Sequence, residues 1–356
     1  AINEGGVNNS SMVRMYDVID SEDQEIYRAL SGGVTAIQLL HGSANPVGGQ
    51  SAHLKMRWGA TPEEMRIENA DEYIKFALGE NVKRQRNTDP IRYPRTRMGV
   101  EQVYVDGFTN AQVYEAEWKA YNSLSAEEKA NTPAPRRDLV MDAMVEILNA
   151  ERFITCHSYV QSEINMFMKV AEKFNFRVNT FTHILEGYKV ADIMAKHGVG
   201  GSTFSDWWSY KWEVRYAIPY GSNLMFREGV VTAVNSDDAE LMRRLNQEAA
   251  KAVKYGGLDE YDAMKMATIN PAKLLHLDDR MGSIKVGKDA DLALWSDHPL
   301  SIYARAEKTV VDGIVYFDIE KDQQMKAAIE KERARLVQKM LNEKGIAAEN
   351  LKLVIM

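Results

Sequence analysis

Short apolar or β-branched runs alternate along this chain with longer stretches of helical spacing. The runs at 34–40, 73–78, 153–157, 176–181 and 230–236 have strand length, and a further strand and loop begin at 198. Between them, 21–30, 110–122, 138–149, 190–197, 241–255 and 258–275 carry helical periodicity. Capping residues punctuate the pattern. Ser21 and Ser162 are expected N-caps, and Thr61, Pro62 and Glu64 form a capping-box signature. Repeated strand-then-helix units predict a parallel (β/α) barrel, TIM-like, rather than a dinucleotide fold. Neither G-x-G-x-x-G nor a P-loop motif occurs.

After Asp278 the period changes. Short strands around 281–296 and 309–318 are separated by Gly/Asp turns, which predicts a small β-unit outside the barrel. Two or three such strands cannot bury a face alone, so a partner surface is expected. The stretch 320–342 reads as a charged amphipathic helix. Its stripe of Met325, Ile329, Leu336, Val337, Met340 and Leu341 is expected to dock on the chain's own surface. The expected division is the barrel over 1–277, the small β-unit, read as a β-sandwich portion, over 278–319 and a helical extension over 320–356.

Candidate chemistry gathers at strand ends. His157 closes FITCH, His183 follows VNTFT, and Asp237 and Asp238 follow VVTAVNS. The two histidines are 26 residues apart and Asp237 follows 54 later, about one and two strand-helix-strand steps. Metal ligands at the carboxyl ends of successive barrel strands produce this spacing. Asp238 is expected to cap the helix that begins near Glu240. Lys75 interrupts an apolar run, either at a strand end with its amine free or chemically used. His41 and His53 flank a Gly-rich loop and are candidate substrate contacts. His197, His276 and His298 read as structural. A basic loop with Lys83, Arg84, Arg86, Arg92, Arg95 and Arg97 is either a solvated excursion or a positive wall suited to a substrate carboxylate, with Arg97 the contact chosen. Ser205, Asp206, Trp207 and Trp208 either line a pocket or pack over the barrel mouth.

With these residues in view, the sequence resembles the metal-dependent amidohydrolase superfamily, in its imidazolonepropionase-like and prolidase-like branch. MGSIKVGKDADLALWSDHPL with TVVDGIVYFD resembles the family's returning β-sandwich segment. TINPAKLL, GGVT and NSDD are also family-like. The resemblance implies that His157 and His183 are the fifth- and sixth-strand metal ligands. It implies that Asp237 is the eighth-strand aspartate, which touches the metal and takes a proton from the attacking water. Lys75 resembles the fourth-strand lysine that is carboxylated and bridges two metals in binuclear members, with Glu80 a nearby rival. One or two Zn²⁺ are implied. The implied reaction is hydrolysis of an amide or cyclic-amide C–N bond on a carboxylate-bearing, dipeptide-like substrate. A deaminase of the same superfamily and a non-catalytic barrel scaffold are the alternatives. The family opens its barrel with a His-x-His pair, and none is present here. The chain is therefore read as an N-terminally truncated barrel, starting just after that pair.

Composition narrows the partners. The 356 residues are 45% hydrophobic, which suffices for a large α/β domain and a small second one. A net charge of -7 argues against nucleic acid or an anionic membrane and leaves a small-molecule substrate. A homo-oligomer, or a preceding segment that completes barrel and sandwich, is compatible with the pattern. The single Cys156 excludes an intrachain disulfide and is expected to be buried packing. The compartment, cytoplasm or periplasm, is left open.

Overall fold

The computed structural model describes residues 2–83, 93–205 and 210–344. Its strands are β1 (Ala36–Leu39), β2 (Val47–Gln50), β3 (Ala52–Lys55), β4 (Glu72–Ala77), β5 (Arg152–His157), β6 (Thr180–Thr182), β7 (Gly200–Thr203), β8 (Thr232–Val234), β9 (Leu292–Trp295), β10 (Ala306–Val311) and β11 (Ile314–Asp318). The main sheet has six strands in the order β2-β4-β5-β6-β7-β8. Strands β4 to β8 are mutually parallel, and β2 pairs antiparallel at the edge. Helices follow β5 to β8 in the chain, and the long helix Arg97–Ser123 precedes β5. This is a barrel-like α/β arrangement, although no β8–β2 pairing closes the sheet among the described residues.

The run at 34–40 departs from expectation. Its strand β1 pairs antiparallel with β3 in a separate hairpin. Its residues are only half-buried, because they face different surroundings. Ile37 and Leu39 pack on a second core around Leu30, Leu54, Met65 and Phe317, while Gln38 meets Thr155 and His53. The helix expected over 110–122 begins instead at Arg97, where Thr96 caps it through Gly99 N–H. Its inner face contributes Val100, Tyr104, Phe108 and Ala111 to the main core, beside Phe76, Phe167 and Phe181. Burial of a side chain such as Val100 or Phe108 contributes about 1.5–3 kcal/mol.

Two expected caps move. Asp23, not Ser21, caps helix Gln24–Leu30, and helix Gln161–Phe174 starts after Val160 with no side-chain cap. The Thr61–Glu64 capping box is present in both directions. Gly198 ends helix Ala191–His197 in the left-handed region that glycine favours.

Beyond the barrel-like unit, β11-β10-β9 form a small antiparallel sheet. Lys55 at the end of β3 ties it down. Its buried amine meets Asp289 at 2.7 Å and Asp291 at 3.1 Å, and also Asp312. Helix Ile319–Lys344 follows directly. The expected docking of its stripe is not seen: Met325, Ile329, Leu336, Val337 and Met340 are all exposed. The helix contacts β10 and β11, and of the stripe only Leu341 is half-buried. No helix among the described residues is long and apolar enough to cross a membrane.

Candidate active site

Strand register brings the candidate ligands to one end of the sheet. Ala77, His157 and Thr182 stand opposite one another on β4, β5 and β6. His157 is the last residue of β5, and His183 directly follows β6. Asp237 lies three residues beyond β8, so all three occupy the carboxyl ends of parallel strands. Lys75 sits two residues deeper on β4, level with Thr155.

The side chains converge. The His157 and His183 rings meet edge to face with centroids 5.2 Å apart, and both are buried. Asp237 Oδ1 lies 3.7 Å from His183 Nε2. Burial pushes both imidazoles well below their usual range. Their mutual proximity and the amines of Lys75 and Lys211 add to this for His157, and the two amines do so for His183. Neutral rings keep the lone pairs that a metal needs. Burial also lowers Lys75 to about 8, with Asp237 opposing the shift. The Asp237 carboxyl is raised by desolvation against the pull of Lys75 and Lys211.

The surroundings orient these groups. His183 has φ 59°, a left-handed conformation that costs a histidine about 1–3 kcal/mol. It brings Nδ1 to 2.7 Å from the Asn235 side-chain amide, whose Oδ1 has no hydrogen-bond partner among the described residues. Amide O and N are interchangeable assignments. With Oδ1 turned to the ring, Nδ1–H donates to it and Nε2 keeps its lone pair beside Asp237. His157 Nδ1 is also buried without a hydrogen-bond partner among the described residues. Asp238 caps helix Ala239–Met242 as expected, accepting from Glu240 and Leu241 N–H.

Three proposed substrate contacts find other places. The His41 ring accepts from Glu4 N–H through Nε2 and donates to Gly42 O through Nδ1, each at 2.8 Å. Both nitrogens are committed to backbone, and Gly48 and Gly49 leave the room that the buried ring fills. His53 packs edge-on against Tyr73, near the amino ends of the parallel strands and away from His157. Arg97 is not free for a substrate. Its Nε lies 3.0 Å from the buried Glu163 and its Nη2 lies 3.1 Å from the buried Glu213. Those acids accept Gly79 and Glu80 N–H, both at 3.0 Å, so Arg97 neutralises the carboxylates that hold the loop after β4. A Cβ on Gly79 would stand 2.6 Å from Glu213 Oε1. Glu80 itself is exposed. Arg84, Arg86, Arg92, Asp206, Trp207 and Trp208 lie outside the described residues.

Burial lowers His53 to about 4, so the folded state excludes a proton that the unfolded chain binds below about 6.5. Stability therefore falls as pH drops from about 6.5 towards 4, by at most about 1.4 kcal/mol per unit from this group. His53→Gln is expected to flatten that part of a denaturation-against-pH curve. An unchanged slope would assign it elsewhere.

The sequence reading missed Tyr159, Tyr210 and Lys211. Tyr159 packs edge-on against His157 at 4.6 Å and shares a 2.6 Å hydrogen bond with the Tyr210 hydroxyl. Lys211 lies 4.4 Å from the Tyr159 ring centroid. Tyr159 lies two positions beyond the end of β5, close enough to His157 to have been considered; nothing local flags Lys211.

Among the described residues, one set of three has donor atoms all within 4.8 Å of one another: Asp289, Asp291 and Asp312. They are close enough to hold a cation, and the Lys55 ammonium already stands among them.

Comparison with known proteins now bears on this geometry. The Amidohydrolase family model matches residues 222–318. The crystal structure of an amidohydrolase from Thermotoga maritima superposes with a TM-score of 0.79 at 31% identity, over 89% of this chain and 80% of that one. The chain belongs to the amidohydrolase family. It has that family's TIM-barrel-like α/β fold, with small accessory sheets. Amidohydrolase tasK of Hapsidospora irregularis is 27% identical over 332 residues, 89% of this chain and 34% of that protein. Adenine deaminase of Methanosphaera stadtmanae is 30% identical over 166 residues, 42% of this chain and 29% of that protein. The chain thus spans about a third of the length of these curated relatives.

Proposed function

We propose that this chain carries the hydrolytic site of a metal-dependent enzyme that cleaves an amide or cyclic-amide C–N bond, in the imidazolonepropionase-like and prolidase-like branch. The division into 1–277, 278–319 and 320–356 is part of the same reading. The observation that carries it is the pair of buried, neutral histidines at adjoining strand ends, one whose Nδ1 has no hydrogen-bond partner among the described residues, beside the Asp237 carboxylate.

These groups are of the kinds that hold a divalent cation; their donor atoms are not all within 4.8 Å of one another, so the side chains would draw together on binding one. Two imidazoles and a carboxylate are the donor set that Zn²⁺ favours, and Lys75, once carboxylated, would add a second carboxylate-like oxygen donor. A bound zinc ion would supply Lewis acidity and a water ionised near neutral pH. The chain's own residues do the rest. Asp237 accepts the proton of the attacking water, and its partial desolvation makes it a stronger base than an exposed aspartate. It then returns that proton to the leaving nitrogen. Asn235 fixes the His183 tautomer, and Tyr159 packs the His157 ring in place.

His157→Ala and His183→Ala are each expected to lower bound zinc from one or two equivalents per chain to a small fraction, as read by elemental analysis after dialysis. Zinc that stays stoichiometric in both variants would overturn the assignment of ligands. A folded parent that holds no zinc would favour a scaffold that has lost its metal. A second reaction, deamination at a ring C–N bond, uses the same groups and is favoured by the similarity to an adenine deaminase.

A further inference from the structure

The cation expected to read a substrate carboxylate, Arg97, is held by Glu163 and Glu213. The Lys75 amine is fully buried and donates to His41 O at 3.3 Å. Another amine stands at the site. Lys211 lies over the Tyr159 ring at 4.4 Å, and that ring touches His157. Its positive charge lowers His157 and His183 and pulls against the raised Asp237 carboxyl. About a fifth of its side chain remains exposed, so the ammonium borders both the site and solvent. Among the described residues it pairs with Glu213 at 3.5 Å, an acid that Arg97 already contacts at 3.1 Å. Lys211 can therefore turn to an incoming anion without leaving Glu213 buried and uncompensated. The Tyr159 hydroxyl is itself held by the 2.6 Å hydrogen bond it shares with Tyr210, which fixes the ring that Lys211 covers.

We propose that Lys211 is the specificity-determining residue of this site, pairing with a carboxylate on the substrate, so that N-acyl amino acids or dipeptides with a free carboxylate are taken in preference to their neutral amides. This rests on the reading under Proposed function for the reaction. The pairing itself is a binding property and can be measured without turnover.

The test uses zinc-loaded protein and two probes of nearly equal shape, N-acetyl-L-leucine and N-acetyl-L-leucinamide, with binding followed by calorimetry. The parent is expected to bind the acid at least about tenfold more tightly than the amide, the scale of one charge-assisted hydrogen bond. Lys211→Gln is expected to abolish that preference while leaving amide binding unchanged, and Lys211→Arg to keep most of it. Raising the salt concentration should weaken acid binding in the parent and not in Lys211→Gln. Equal weakening of both probes in Lys211→Gln would show a structural role and overturn the proposal. So would an undiminished preference, or a parent that binds neither probe. The acid preference should persist in Asp237→Asn, whose hydrolysis is expected to be lost; a zinc-loaded parent that shows the preference but cleaves no amide would count against the reaction and not against Lys211.

Discussion

Asp237→Asn is expected to lower kcat for amide hydrolysis by about 10²–10⁴, the usual contribution of a positioned proton acceptor. Asparagine keeps the shape and one oxygen donor but cannot take the proton from water. Bound zinc should therefore fall far less than in His157→Ala. Asp237 stands 3.7 Å from His183 Nε2 and is partly desolvated, the setting that strengthens a carboxylate as a base. The measurement is the pH dependence of kcat/KM for parent and variant. Loss of activity with loss of the acidic limb is the expected result. Undiminished turnover would remove Asp237 from the chemistry.

Lys55→Met is expected to destabilise the fold by about 3–5 kcal/mol, the range for removing one partner of a buried ion pair. The lysine is 1% exposed, and three aspartates surround it. Of these Asp291 is the most buried, so it would suffer most from a missing countercharge. Adding Asp291→Asn to Lys55→Met should restore part of the loss, because it removes the worst uncompensated charge. Chemical denaturation of the three proteins checks this. Equal stability of Lys55→Met and parent would show that water neutralises the aspartates well enough.

Local pattern foretold where the candidate residues stand in the strands, which is a local property. A histidine that ends a β-branched run, as His157 and His183 do, declares its level in a parallel sheet. Asp238 could be read as a cap because capping acts over three residues. The failures involve distance along the chain. Arg97 looked available because the acids that hold it, Glu163 and Glu213, lie in other segments. His53 follows a mouth-like, Gly-rich loop, yet β3 turns back and carries it to Tyr73. Strand β1 was read as part of the main sheet because its apolar run has strand length, and the run does not reveal which strand it will pair with. Gly99 and Gly107 disguised the start of helix Arg97–Ser123, since glycine weakens a helix in isolation and tertiary packing overrides that preference.

The register of β4 against β5 has a consequence for reach. Lys75 starts two residues lower than His157, about 6.6 Å along the strand. Only a long, unbranched arm climbs that far, so position 75 selects for length before it selects for charge. A glutamate there would carry suitable oxygens on too short a tether, and a group that served in its place would have to be planted nearer the rim.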